Sequence, residues 1–160
     1  MIRPVTLQDA TALTAIYNEY ILHSTATFEV HPIDKQEMQK RIAEISSDCP
    51  YFVYETDGKI IGYCYAHPWK IREAYSRTWE TTIYIARGHE GKGAGKQLMQ
   101  QLIEACRHRH IHVLIACITS ENTTSRDFHA ALGFKQVSSF DEVGRKFGRW
   151  LGITDYQLIL

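Results

Sequence analysis

The chain lacks any apolar run approaching the roughly 20 residues needed to cross a bilayer. Its first residues, M-I-R-P-V-T-L-Q-D-A, do not follow the basic-then-apolar pattern of a signal peptide, so a cytoplasmic location is expected. It also lacks a charge excess: 18 Lys plus Arg balance 18 Asp plus Glu. A balanced chain has no global pull toward nucleic acid. Cysteine is sparse and unpatterned. Cys49, Cys64, Cys106 and Cys117 form no C-x-x-C pair, and three of them sit in apolar runs, so reduced, buried thiols are expected.

At 160 residues and 44% hydrophobic, the sequence fits one globular domain with a substantial core, spanning residues 1–160. Strand and helix signals alternate without linker or repeat. I-R-P-V starts a short strand. Thr6 or Asp9 opens a helix with Leu13, Ile16, Tyr17, Tyr20 and Ile21 at helical spacing. S-T-A-T-F-E-V-H-P reads as a loop. Asp34 caps a second helix that carries Met38, Ile42 and Ile45 on one face. Y-F-V-Y-E-T and K-I-I-G-Y-C-Y-A-H flank Asp57-Gly58, a hairpin signal. After a polar loop, T-W-E-T-T-I-Y-I-A is a strand.

A third helix follows a glycine-rich turn, and V-L-I-A-C-I-T is a strand expected to be buried on both faces. Asn122–Ala131 is a fourth helix stopped by Gly133. F-K-Q-V-S-S-F and D-Y-Q-L-I-L are closing strands, and the stretch D-E-V-G-R-K-F-G-R-W-L-G between them reads as a long loop. The sum is an α/β (α+β) fold, a mixed sheet of about six to seven strands with about four helices.

The glycine-rich turn is R-G-H-E-G-K-G-A-G-K at Arg87–Lys96. Between a strand and a helix, Gly91, Gly93 and Gly95 let backbone N–H groups and the helix dipole meet an anion. A P-loop would need glycine where Glu90 stands and Ser or Thr where Gln97 stands. A Rossmann fingerprint starting at Gly91 would need glycine at Lys96. Both spacings fail. A flexible turn without a ligand is the other reading of the glycines alone.

The order of E-G-K-G-A-G (Glu90–Gly95), Asn122 and F-H-A-A-L-G-F (Phe128–Phe134) resembles the GNAT N-acetyltransferase superfamily. S-T-A-T-F-E, A-H-P-W-K-I-R-E-A-Y, T-W-E-T-T-I-Y-I and G-R-K-F-G-R-W-L-G resemble, more narrowly, the phosphinothricin and methionine sulfoximine N-acetyltransferase group. The resemblance implies acetyl-CoA as cosubstrate, held by Tyr84, Ile85, Glu90, Gly91, Lys92, Gly93, Ala94, Gly95, Lys96, Asn122 and Arg126. It implies Glu80 as general base, a backbone oxyanion donor at Tyr84 or Ile85, and a thiolate-protonating group at His129. It places a small amino-acid-like substrate near Phe28, Arg72, Tyr75, Lys146 and Trp150. It also implies a homodimer.

Glu90 departs from the family's usual Gln or Arg, and a carboxylate aimed at a pyrophosphate would be repelled. Either its side chain points away or Arg87, His89, Lys92 and Lys96 offset it. Direct attack by the amine is expected over a cysteine relay.

Other readings stay open. Glu80 could be a solvent-facing strand residue, Asn122 a helix cap, and His129 a packed helix residue. The acceptor could be a polyamine or a protein N-terminus, or the chain could be a non-catalytic acetyl-CoA-binding module. His108, His110 and His112 alternate, but no acidic or cysteine partner completes a metal set. No metal, nucleic acid or membrane partner is expected.

Overall fold

Strand-forming sequence falls in seven stretches, and all seven pair into one sheet. They are β1 (Ile2–Pro4), β2 (Tyr51–Thr56), β3 (Lys59–Pro68), β4 (Thr78–Ile85), β5 (Val113–Thr119), β6 (Lys135–Lys146) and β7 (Arg149–Ile159), in the spatial order β1-β2-β3-β4-β5-β7-β6. Only β4 and β5 are parallel. The computed structural model describes residues 1–160.

Alternation along the strands sends neighbouring side chains to opposite faces. Tyr51, Val53 and Tyr63 meet α1 (Ala10–His23) and α2 (Lys35–Ser46), with Leu13, Ile16, Tyr17, Ile21, Met38 and Ile42 completing that layer. Cys64, Ala66, Trp79, Leu114, Ala116 and Ile118 face the other way, onto α3 (Ala94–His108). Leu98, Met99 and Leu102 of α3 are fully buried there, each stabilising by roughly 1.5–3 kcal/mol. α4 (Thr123–Ala131) lies beyond α3, with its Asn122 cap accepting from Ser125 N–H at 3.1 Å.

Asp57 and Gly58 both take positive φ, 48° and 70°, as the β2–β3 hairpin needs. The expected long loop after Phe140 is corrected. Its residues extend β6 and β7 into a hairpin that turns at Phe147-Gly148 with φ of 51° and 73°. Gly144 and Gly152 sit inside these strands because other groups occupy the space a side chain would need. A Cβ would lie 2.2 Å from the Phe28 ring at Gly144 and 2.6 Å from the Phe140 carbonyl oxygen at Gly152.

Candidate active site

β4 and β5 are paired only from Thr78↔Val113 to Glu80↔Ile115. Beyond Glu80 they diverge and leave a cleft of about 1010 Å³. Glu80, Ile83, Tyr84 and Ile85 form one wall, Cys117, Thr119, Asn122 and His129 the other, and the glycine turn an end.

The ladder on the far side of β4 shows which backbone groups face the cleft. Ala86 N–H donates to Ile61 O at 2.8 Å, and Trp69 N–H to Thr78 O at 3.1 Å. Antiparallel pairs alternate between bonded and non-bonded. Tyr84 therefore exchanges its bonds with Tyr63, its register partner. Ile83 and Ile85 turn their N–H groups toward the opening. Of the two expected oxyanion donors, Tyr84 is thus corrected: its N–H belongs to the sheet. Ile85 N–H is the open one, and Tyr20 OH fixes that residue by donating to its carbonyl at 2.6 Å. The Tyr84 ring instead packs among Tyr17, Tyr20 and Tyr63.

Glu80 is half-buried where the strands part. Burial raises its pKa, His67 across β3 opposes the rise, and Asp155 adds to it. Trp79 points to the opposite face, into the α3 layer, and does not shield Glu80.

At the turn, Gly91 and Gly93 have φ of 70° and 89°, a region closed to most side chains. Gly93 caps α3 without a side-chain hydrogen bond, which leaves first-turn N–H groups for a ligand. The Glu90 carboxylate folds back and accepts from Gly88 N–H at 2.7 Å. That bond holds the carboxylate at the turn, where Glu90 still lines the cleft. Lys96 and Gly95 line the cleft, whereas Lys92 donates to Gly88 O at 2.6 Å outside it and Ala94 is buried in the core. Arg126 is committed elsewhere, donating to Ser120 O at 3.1 Å and to Tyr156 OH at 3.3 Å.

His129 is 3% exposed. Its Nδ1 lies 2.8 Å from Ser125 O, and the ring sits edge-on to Phe128 and Phe134. Burial lowers its pKa, with the Ser125 carbonyl opposing. A neutral ring with Nδ1–H on a carbonyl presents Nε2 as an acceptor. The expected general-acid role of His129 therefore loses its chemical basis, and the packed-helix reading fits its surroundings.

The segment Ser24–Phe28 forms a further wall that sequence patterning did not reveal. Thr25 Oγ1 donates to Glu121 at 2.7 Å, and Thr119 Oγ1 donates to Thr25 O at 2.5 Å. Arg149 also grips Glu121 through two bonds, at 2.9 and 3.0 Å, so its carboxyl is pulled down to about 2. Partners so far apart in sequence leave no local signal.

Lys146, expected at the substrate, is 3% exposed behind this wall. It donates to Ser24 O at 2.7 Å and Thr27 O at 2.8 Å. Lys146→Met should orphan two carbonyls at about 1–3 kcal/mol. A lower urea midpoint together with a raised acceptor KM would show it, and an unchanged midpoint would mean that the loop is held by other contacts.

Phe28 lines the cleft, but the other expected substrate residues do not. Tyr75 faces a separate groove of about 490 Å³ with Trp69 and Lys70. Arg72 is exposed, and Trp150 is 60% exposed on the β6–β7 hairpin. The expectation that all four cysteines are buried is corrected at Cys117, which opens onto the cleft. Its thiol is pushed up to about 12, chiefly by the surrounding walls, then by Asp155 and Glu80. A thiol held protonated is a poor nucleophile, which leaves little basis for a cysteine relay.

Comparison with known proteins places this geometry. The acetyltransferase (GNAT) domain family matches residues 2–153. A phosphinothricin N-acetyltransferase of Alcaligenes faecalis is 42% identical, over 94% of this chain and 77% of its own length. An L-methionine sulfoximine/L-methionine sulfone acetyltransferase of Salmonella typhimurium is 35% identical, over 95% of this chain and 90% of its own. The crystal structure of a GNAT phosphinothricin acetyltransferase from Sinorhizobium meliloti, in complex with AcCoA, superimposes with a TM-score of 0.96 at 34% identity, covering all of this chain and 88% of that one. The chain belongs to the acetyltransferase (GNAT) domain family.

Proposed function

We propose that this chain transfers the acetyl group of acetyl-CoA to the free amino group of a small amino-acid-like substrate of the phosphinothricin or methionine sulfoximine type. The observation that carries the reading is the half-buried Glu80 at the point where β4 leaves β5, on the strand whose Ile83 and Ile85 N–H groups turn toward the cleft. The names of the relatives supply the substrate class.

The cleft fits acetyl-CoA. Free N–H groups of the α3 first turn and Lys96 suit its phosphates. Unpaired backbone groups along β4 and β5 suit its amide-bearing arm. The Glu90 carboxylate is engaged by the Gly88 N–H. When bound, acetyl-CoA supplies an activated acyl thioester.

An α-ammonium has a pKa of about 8 and an ordinary glutamate about 4.3. Burial narrows that gap, and Glu80 takes the proton from the amine directly or through water. The amine then attacks, and an open β4 N–H facing the cleft, that of Ile83 or Ile85, steadies the charge that develops on the carbonyl oxygen. An alkyl thiol has a pKa of about 8.5, so the thiolate can depart without a dedicated acid. Phe28 and the Thr25–Thr27 backbone keep bulk water from the acceptor.

Arg72, Tyr75 and Trp150 would serve the substrate of a second protomer, because they lie away from this chain's own cleft. Exposed Val137, Phe140, Val143, Phe147 and Trp150 on the β6–β7 hairpin support a homodimer. A gel-filtration mass of one chain would contradict it. Free cysteines suit the reducing cytoplasm, and no helix is long and apolar enough to cross a membrane.

Release of CoA should saturate with phosphinothricin and L-methionine sulfoximine and be weak with spermidine. The opposite order would move the acceptor to polyamines.

A further inference from the structure

One charged group near the cleft has no part in the transfer as described. Asp155 stands on β7 opposite Cys117 of β5, and Glu80 stands on β4 opposite Ile115 of β5. Residues 115 and 117 share a face of β5, so Glu80, Cys117 and Asp155 all project to the same side of the sheet. Ser138 on β6 donates to Asp155 Oδ2 at 2.6 Å and fixes the carboxylate there.

This face also carries Tyr51, Tyr63 and Tyr84, packed with Tyr17 of α1, and Glu29 and Arg41 lie near Tyr65. β3 carries Tyr65 and His67 opposite Thr82 and Glu80. β6 adds Lys135, opposite Gln157. The 69–75 loop brings Lys70 and Tyr75 to the same groove as Asp155, and the Lys70 ammonium rests over the Trp69 ring at 4.1 Å. Neither lysine forms an ion pair with Asp155.

We propose that Asp155 is a positioning residue for the acetyl transfer, a fixed negative charge that acts through its two neighbours and disfavours a second negative charge on either Glu80 or Cys117. The inference rests on Glu80 as the base. Like charges resist joint ionisation, and both neighbours respond in that sense. Beyond the effect of burial, the Asp155 carboxylate raises the pKa of Glu80 against the pull of His67, and it raises that of Cys117. One carboxylate thereby does two things. It makes Glu80 a more willing acceptor of the amine's proton. It also keeps the one cysteine in the cleft from competing with the amine for the acetyl group.

Asp155→Asn tests this, since the Asn side-chain carbonyl can still accept from Ser138. Two readouts separate the roles. The acid limb of the kcat/KM profile should move to lower pH in the variant, because Glu80 loses a proton more readily. Alkylation of Cys117 by iodoacetamide, followed by mass spectrometry, should accelerate several-fold at fixed pH, as thiolate grows about tenfold for each unit its pKa falls. Asp155→Glu should restore the wild-type limb and the slow alkylation. An unmoved limb together with unchanged alkylation in Asp155→Asn would overturn the proposal. A wild-type profile with no acid limb would instead overturn Glu80 as base. In that case faster Cys117 alkylation in Asp155→Asn still supports the charge effect, and unchanged alkylation sinks it.

Discussion

Replacing Glu80 with Gln should lower kcat by about two to four orders of magnitude, while acetyl-CoA binding stays near wild type. Gln keeps the size and polarity of the side chain but cannot take a proton. Because Glu80 stands where β4 parts from β5, rather than at the glycine turn, the cosubstrate's phosphate contacts are untouched. Isothermal titration with CoA and steady-state kinetics separate the two quantities. The wild-type pH profile follows the same logic. A general base works only when deprotonated, and burial raises the Glu80 pKa. Activity should therefore rise with pH through a limb above the ordinary glutamate value of about 4.3. Gln at this position should abolish that limb. Unchanged turnover in the variant would remove Glu80 from the mechanism.

Gly93→Val should weaken acetyl-CoA binding by about tenfold or more and leave kcat at saturation much closer to wild type. Gly93 has φ of 89° and only Gln97 Nε2, at 3.9 Å, near its missing side chain. The obstacle is therefore conformational, not spatial. An L-residue in the left-handed region costs roughly 1–2 kcal/mol, more for a β-branched one, and 1.4 kcal/mol is a factor of ten. The backbone can escape only by turning its N–H groups off the anion. Glu90→Gln is the contrast. Its carboxylate already faces the Gly88 N–H, so the change should stay within about 0.5 kcal/mol, as for an ordinary surface substitution. A large gain in CoA affinity from Glu90→Gln would mean that the carboxylate does oppose the phosphates.

What could be read from sequence divides along physical lines. Signals carried by adjacent residues were legible: Asp57-Gly58 turns the β2–β3 hairpin, the glycine turn leads into α3, and the cap, given as the other reading of Asn122, is present at the start of α4. The β6–β7 hairpin was not, because glycine marks both loops and crowded strand positions. Gly144 and Gly152 are of the second kind, and only the fold brings Phe28 and the Phe140 carbonyl against them.

The site was legible in its residue types but not in its directions. Whether Tyr84 or Ile85 offers an N–H depends on ladder phase with β3. His129 has the chemistry of an acid, yet Ser125 and two aromatic rings hold it as a packed neutral group. Lys146 has the charge of a substrate ligand, yet two carbonyls more than 100 residues away hold it. The parting of β4 from β5 is an absence of pairing after Glu80, and no residue pattern announces it.

The central claim is direct transfer from acetyl-CoA to an amino-acid amine in that cleft. The most direct measurement follows CoA release against L-methionine sulfoximine concentration, with mass spectrometry of both product and protein. The account predicts little release without the amine, N-acetyl product matching CoA when the amine is present, and no acetyl group on the chain. Release that ignores the amine, or an acetylated Cys117 on the path to product, would contradict it.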